Sequence, residues 1–318
     1  ILFFLHWRSK YFGVIINQAY YLLVEDSLKA LQRLATYARK SFSGNVIAIG
    51  GSNGKTIVKE WSRVLIAQDK KVCISPRSYN SQIGVAVSLW QLNENFEAGI
   101  FEAGISEPNE MQSLHDMILP DTGLITNIGE AHGANFSSIE EKLNEKLKLF
   151  EGCKRLICSQ DNPMLFEKVS EFCRSNNIEL ISYDTESMAR KLQLPFEDRV
   201  SKENAVSAFV LCTQLGIDED KLRQRIGMLT PLDMRMQIQS TGNSILLNDC
   251  YCLDITSLEA ALDYLNTQDR NLERCVILSD LQEKSEDIPE TLKKINTLLK
   301  NKSISFLYGI GTDFVNNA

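Results

Sequence analysis

The stretch Gly51-Ser52-Asn53-Gly54-Lys55-Thr56 is the part of this chain best able to do chemistry. Glycines let backbone N–H groups turn inward toward an anion, and a helix starting just after them adds its positive end. Lys55 then offers a mobile cation for outer phosphates, and Thr56 a hydroxyl for Mg²⁺. An apolar run, Val46 to Ile49, precedes the loop, and a helical pattern with Ile57, Trp61, Val64 and Leu65 on one side follows it. That strand, turn and helix is the context a phosphate loop requires, although Ile49 stands where the common GxxxxGK[ST] pattern has its first glycine. Nucleotide binding is therefore the expectation, against a chance GKT at a helix start.

Further groups of the right kind follow at the ends of predicted strands. Glu102 closes the strand Gly99-Ile100-Phe101, and His132, one of three histidines, follows the strand Leu124 to Ile128. Ligands gather at the carboxyl ends of strands in open α/β sheets. Alone, each reads better as a surface acid or a structural imidazole; beside a phosphate loop they read as metal ligands. Lys146 sits fourteen residues past His132 in a charged helix, where a solvated face is the competing reading.

The elements that must hold these groups alternate. Helical spacing marks 26–40, 56–68, 139–150, 165–174 and 204–215; strands fall at 46–49, 99–101, 124–128 and 155–158. The fold class implied is α/β, with a mostly parallel sheet covered on both faces. Past Thr230-Pro231 the alternation restarts with strands at 244–247, 275–278 and 304–308 and helices at 257–265 and 288–299, a second Rossmann-like unit that stops early. The expected domains are 1–43, 44–230 and 231–318.

Composition sets limits. The net charge of -7 argues against a broad nucleic-acid surface. No apolar run is long enough to span a bilayer, and the N-terminus lacks a basic start and a cleavage site. Its first residue is Ile1, which suggests a start inside a longer chain. The eight cysteines form no CxxC pair and read as reduced core residues, which places the protein in the cytoplasm. Cys250 and Cys252 flank Tyr251 but lack further metal ligands nearby.

The shortened GSNGKT loop resembles that of the Mur ligases and their folylpolyglutamate synthase relatives. Phe101-Glu102-Ala103-Gly104 with Pro108 and Glu110-Met111 resembles a segment of the branch that adds D-alanyl-D-alanine, with Asn109 in place of a glycine. Thr126-Asn127-Ile128-Gly129-Glu130-Ala131-His132 resembles that branch's T-N-[IV]-G-x-A-H, and Tyr79 to Val85 its N-x-x-x-I-G-V segment. Pro231 to Met236 resembles an interdomain P-x-x-G-R-x with Met234 in place of glycine, and Leu247 to Tyr251 a D-D-S-Y-N motif with Asn248 for the first Asp.

The resemblance implies ATP and Mg²⁺ as cofactors. It implies Gly51, Ser52, Asn53, Gly54, Lys55, Thr56, Asn204, Arg235 and Asp249 around ATP, with Asn204 toward adenine and Asp249 toward ribose. Thr56, Glu102 and His132 would hold the metal, Asn80 and Ser81 the substrate, and Lys55, Lys146 and Arg235 would be catalytic, Lys146 being a lysine that is carbamylated in several members. The implied partners are UDP-N-acetylmuramoyl-tripeptide and D-alanyl-D-alanine, joined through an acyl phosphate in peptidoglycan synthesis, with no nucleic acid and no membrane insertion. Residues 1–43 would be the remnant of a uridine-nucleotide domain, 44–230 the central ATP domain and 231–318 part of a C-terminal domain. The wording at 75–85 and 145–150 looks closest to ligases fused to an alanine racemase. Three alternatives stay open: a folylpolyglutamate synthase-like or other Mur ligase, a non-catalytic nucleotide-binding switch, and a fragment that binds nucleotide without turnover.

Overall fold

The computed structural model describes residues 13–16, 19–129, 136–242, 244–251, 254–268, 272–280 and 288–316. An antiparallel pair, β1 (Gly13–Ile16) and β2 (Ala19–Leu22), precedes helix α1 (Ser27–Ser41), which Asp26 caps by accepting from Lys29 N. The apolar runs then build one sheet from β3 (Asn45–Gly50), β4 (Val72–Ile74), β5 (Ala98–Glu102), β6 (Thr122–Ile125), β7 (Arg155–Ser159) and β8 (Glu179–Tyr183). Its order is β4-β5-β3-β6-β7-β8, and every neighbouring pair is parallel.

Both faces of this sheet are buried because successive residues of a strand point to opposite sides and both sides are apolar. Val46 and Ala48 of β3 face a core shared with α1, α3 (Gln82–Leu89), α4 (Glu110–Ile118) and α6 (Pro163–Asn176). Ile47 and Ile49 face the opposite core, built with α2 (Lys55–Ile66), α7 (Thr185–Leu192), α8 (Arg199–Gln214) and α9 (Glu219–Ile226). Trp61 of α2 stacks on Phe196 at 4.7 Å and donates its indole N–H to Thr230 O at 2.8 Å. The stacking adds about 1 kcal/mol beyond burial. The indole hydrogen bond ties the residue at the expected 230/231 boundary to the phosphate-loop helix.

Helix α1 packs into the same body: Ala35 is fully buried, and Arg39 donates to Ile118 O, Leu119 O and the Asp121 carboxylate. Helix α5 (Ile139–Leu147) runs into a single 3₁₀ turn at Lys148–Phe150. One strand ends earlier than its composition suggests. The sequence predicts 124–128, but β6 ends at Ile125: Thr126 N still donates to Gly50 O, while the Thr126 hydroxyl and the Asn127 side chain turn to the phosphate loop.

Past residue 230 come β9 (Gln237–Thr241), β10 (Ser244–Asn248), α10 (Ile255–Thr267), β11 (Cys275–Ser279), α11 (Ile288–Asn301), β12 (Phe306–Ile310) and α12 (Thr312–Asn316). The strand expected at 244–247 does not join the others. It pairs antiparallel with β9 across a tight turn in which Gly242 has φ +61°, as a two-residue hairpin loop requires. Strands β11 and β12 form a separate parallel pair over Leu258, Leu262, Leu278, Ile295 and Leu299. No helix among the described residues is long and apolar enough to cross a membrane.

Candidate active site at the carboxyl edge of the sheet

Strand β3 sits between β5 and β6, so the chain runs to one side of it and then to the other. That reversal opens a crevice at the carboxyl ends of the strands. The loop Gly51–Gly54 fills its floor. Gly51 has φ +127° and Gly54 φ +83°, values that disfavour any side chain. Space is also lacking: a Cβ at Gly51 would lie 2.1 Å from Thr126 Oγ1, and one at Gly54 2.2 Å from Asn204 Oδ1.

The loop is clamped from β6. Ser52 N donates to Asn127 O at 2.9 Å, Asn53 N to Asn127 Oδ1 at 2.9 Å, and Thr126 Oγ1 to Asn53 O at 2.6 Å. Lys55 Nζ folds back over Gly51 O at 3.0 Å and Ser52 O at 2.7 Å. Asn53 Nδ2 reaches Asp254 Oδ2 at 3.3 Å and Ser257 Oγ at 3.2 Å, which links the loop to the start of α10.

Glu102 ends β5 beside this loop, in register with Ile49, and is fully buried. Neither carboxylate oxygen accepts a formed hydrogen bond. Burial raises its pKa; Lys59, the nearby Thr56 hydroxyl, Lys55 and Arg235 each pull it back. A buried carboxylate with two unused oxygens, facing a threonine hydroxyl, is a donor set that a hard divalent cation completes with phosphate and water oxygens. Among the described residues no cluster of three acidic, histidine or cysteine side chains forms a site without such outside donors. His132 lies outside the described residues.

The other candidates converge on the same edge. Lys146 is buried and donates to Gly51 O at 3.0 Å, so the solvated-face reading of its helix does not hold. Lys142 and Glu145 turn inward with it; Lys142 Nζ donates to Gly129 O at 2.6 Å. Asn204 of α8 is buried against Gly54, and its Nδ2 has no hydrogen-bond partner. Asn80 accepts from Gly104 N through its backbone carbonyl, just past Glu102, while the Ser81 hydroxyl caps α3 by accepting from Gly84 N at 3.3 Å. Asp249 accepts from Met236 N at 2.9 Å. Burial lifts its pKa to about 6, with the Met236 N–H and Arg235 opposing and Asp254 and Asp198 adding.

Arg235 lies 3.7 Å over the Tyr251 ring, and its Nη2 is 3.4 Å from Ser78 Oγ. Three participants had no role assigned from the sequence: Ser78, Lys59 and Tyr251, the last noted only as part of a motif. Lys59 is fully buried and donates to Ser75 O at 2.7 Å and to Arg77 O. One signal pointed to it. It stands three residues after Thr56 on α2, hence on the same helix face.

A glycine-built anion loop, a buried acid beside it and three cations around that acid define a nucleotide-binding α/β protein. The family profile "Mur ligase middle domain" matches residues 49–220, more than half of the chain, and the chain belongs to the Mur ligase family. Its curated relatives include UDP-N-acetylmuramoyl-tripeptide--D-alanyl-D-alanine ligases. The one from Bacillus subtilis is 26% identical over 294 residues, covering 86% of this chain and 64% of that protein. The one from Rickettsia prowazekii is 28% identical over 271 residues, covering 77% and 60%. The chain thus spans under two thirds of the length of these relatives.

Among solved structures, MurF ligase from Thermotoga maritima in complex with ADP superposes with a TM-score of 0.77 at 18% identity, over 92% of this chain and 73% of that one. MurF from Acinetobacter baumannii gives 0.76 at 18%, over 95% and 83%. Folylpolyglutamate synthase from Thermotoga maritima gives 0.62 at 14%, over 92% and 88%. At these identities the structures speak to the fold.

Proposed function

We propose that this chain carries the ATP-activating part of a peptide ligase that joins D-alanyl-D-alanine to UDP-N-acetylmuramoyl-tripeptide. The observation that carries the reading is Glu102: a buried acid with both oxygens unused, set against Thr56 beside a phosphate loop. The curated relatives that carry this activity in their names support the choice of substrates. Seven free cysteines among the described residues suit a reducing, cytoplasmic setting. The chain would divide near residue 230 into a central ATP unit and a C-terminal unit.

The chemical problem is that a carboxylate is a poor electrophile and oxide a poor leaving group. ATP, consumed as a substrate, removes both obstacles. The tripeptide carboxylate attacks the γ-phosphorus, forming an O–P bond as the bridging P–O bond breaks and ADP leaves. The dipeptide amine then attacks the acyl carbon, loses a proton and expels phosphate. Such transfers depend mainly on position and charge neutralisation. The amides of Gly51 to Gly54 would cradle the phosphates, with Lys55 and Arg235 offsetting charge on the outer ones. Thr56 and Glu102 would hold Mg²⁺, which would supply charge neutralisation for the phosphates. Asn204 would face the nucleotide base with its unused amide, and Asp249 the ribose. Asn80 and Ser81, on the loop beside Glu102, would meet the muramoyl-peptide, and Lys146 would act at the phosphate loop from α5.

The test is continuous ADP release, expected only when Mg²⁺, muramoyl-tripeptide and D-alanyl-D-alanine are all present. Release with a polyglutamate acceptor instead would transfer the assignment to the folylpolyglutamate synthase relatives. Lys146→Ala is expected to abolish turnover with the circular dichroism spectrum unchanged; near-normal turnover would remove Lys146 from the mechanism.

A further inference from the structure

One hydroxyl at this edge has no part in the chemistry above, yet three elements meet on it. Ser78 Oγ, in the loop between β4 and α3, lies 3.1 Å from Thr56 Oγ1, receives the Tyr251 hydroxyl at 2.6 Å and lies 3.4 Å from Arg235 Nη2. A serine hydroxyl accepts twice and donates once. Arg235 can only donate and Tyr251 is the donor in its bond, so the Ser78 proton is left for Thr56. The hydroxyl is thus fully engaged, and its partners come from the phosphate-loop helix, the interdomain segment and the turn after β10.

We propose that Ser78 and Tyr251 are positioning residues that hold Arg235 toward the triphosphate and tie the 75–81 loop to the C-terminal unit. The inference rests on the nucleotide site proposed above. A free arginine side chain samples many rotamers, and fixing it costs entropy at the moment of binding. Here the guanidinium carbon lies 3.7 Å over the Tyr251 ring, a cation–π contact made by a head group that lysine does not have.

The backbone carrying it is fixed from both sides. Tyr251 N donates to Met234 O at 3.1 Å, and Met236 N donates to Asp249 Oδ1 at 2.9 Å. Residues 234 and 236, on either side of the arginine, are both left-handed, with φ +59° and +49°. Conformations of that kind persist only where the surroundings over-determine them. The segment 249–251 therefore sets where Arg235 starts, the ring sets where its head group lies, and Ser78 holds the ring through the Tyr251 hydroxyl.

The experiment is calorimetric titration of the full chain with ATP and with ADP in MgCl₂, for wild type, Arg235→Ala, Tyr251→Leu, Tyr251→Phe, Ser78→Ala and the Ser78→Ala/Tyr251→Phe double variant. Tyr251 is 37% exposed, so these changes leave the core alone. Arg235→Ala and Tyr251→Leu are expected to lose ATP affinity alike, by roughly tenfold, with ADP affinity nearly unchanged. Tyr251→Phe keeps the ring, and Ser78→Ala removes its anchor. Tyr251→Phe is expected to lose about threefold, Ser78→Ala at least as much, and the double variant no more than Ser78→Ala alone, because the bond from the Tyr251 hydroxyl to Ser78 is already gone there. Tyr251→Leu binding ATP as wild type while Arg235→Ala fails would overturn the inference and leave the nucleotide site standing. A parallel fall in ATP and ADP affinity would also overturn it, by marking the contacts as structural. So would ATP affinity that ignores Arg235. Failure of the wild-type chain to bind ATP would overturn both readings.

Discussion

Replacing Lys59 with methionine keeps the apolar stem and removes the charge, at a site where the charge has three tasks. The ammonium donates to Ser75 O at 2.7 Å and to Arg77 O, lies 3.3 Å from Glu60, and is the strongest attractive influence on buried Glu102. Arg77 is exposed, so its carbonyl recovers a water, whereas Ser75 is 1% exposed and its carbonyl loses its ammonium donor. An unsatisfied buried acceptor costs about 1–3 kcal/mol. Removing the partner of a buried charge costs about 3–5 kcal/mol. Proton uptake by Glu102 caps that second figure, so the expected total is about 4 kcal/mol. At roughly 2–4 °C per kcal/mol for a body of this size, the melting temperature should fall by about 10 °C.

The pH dependence has a definite sign. Glu102 already titrates above its ordinary value, and loss of Lys59 raises it further. A carboxyl raised in the folded state favours folding at low pH and loses that contribution as pH rises through the folded pKa. The deficit of Lys59→Met should therefore be larger at pH 8 than at pH 5.5. Adding Glu102→Gln should shrink it, because the double variant has no buried carboxylate to leave unpaired. Thermal unfolding at the two pH values measures all of this. A melting temperature within 2 °C of wild type at pH 8, or a deficit unaffected by pH and by Glu102→Gln, would refute the pairing of Lys59 with Glu102.

Gly54→Ala should cost about 1–2 kcal/mol from its left-handed backbone alone and should also displace Asn204, whose Oδ1 stands 2.2 Å from the new Cβ; ATP titration should show binding lost before the fold is. Asp249→Asn should raise stability at pH 7.5, with the gain vanishing at pH 4, because the carboxyl titrates near pH 6 and an amide oxygen can still accept from Met236 N; denaturant melts at the two pH values check it, and an equal gain at both would sink it. Met234→Gly should stabilise by up to about 1 kcal/mol in the same melts, since glycine removes the left-handed strain at φ +59° but raises the entropy of the unfolded chain.

The parts of the fold that were legible are those with a strong period or a contiguous motif. Val46 to Ile49 alternates between two cores, and α1 shows one apolar side and an aspartate cap. Other elements carried weak signals. Strand β4 has three residues, and β9 reads Gln-Ile-Gln-Ser-Thr, polar enough to hide its pairing with β10. Helix α3 carries apolar residues, Ile83 and Val87, on its exposed side as well, so its apolar positions trace no stripe. The same divide runs through the site. Lys55 and Thr56 are written side by side. Tyr251 meets Ser78 across 173 positions, a contact that only folding creates.

The two places where this chain departs from the family's glycines bear on what the backbone there must do. Asn109 has φ +69° at the start of α4, and Met234 has φ +59° just before Arg235. Both adopt a left-handed conformation without the residue that takes it most freely. Asparagine tolerates that region well, and Asn109 needs no special support. Methionine does not, and the cost of about 1–2 kcal/mol must be offset by neighbours. The hydrogen bond from Tyr251 N to Met234 O is one such offset. Strain held this way beside an arginine aimed at the crevice fits a backbone shaped for the site's geometry at the expense of local stability.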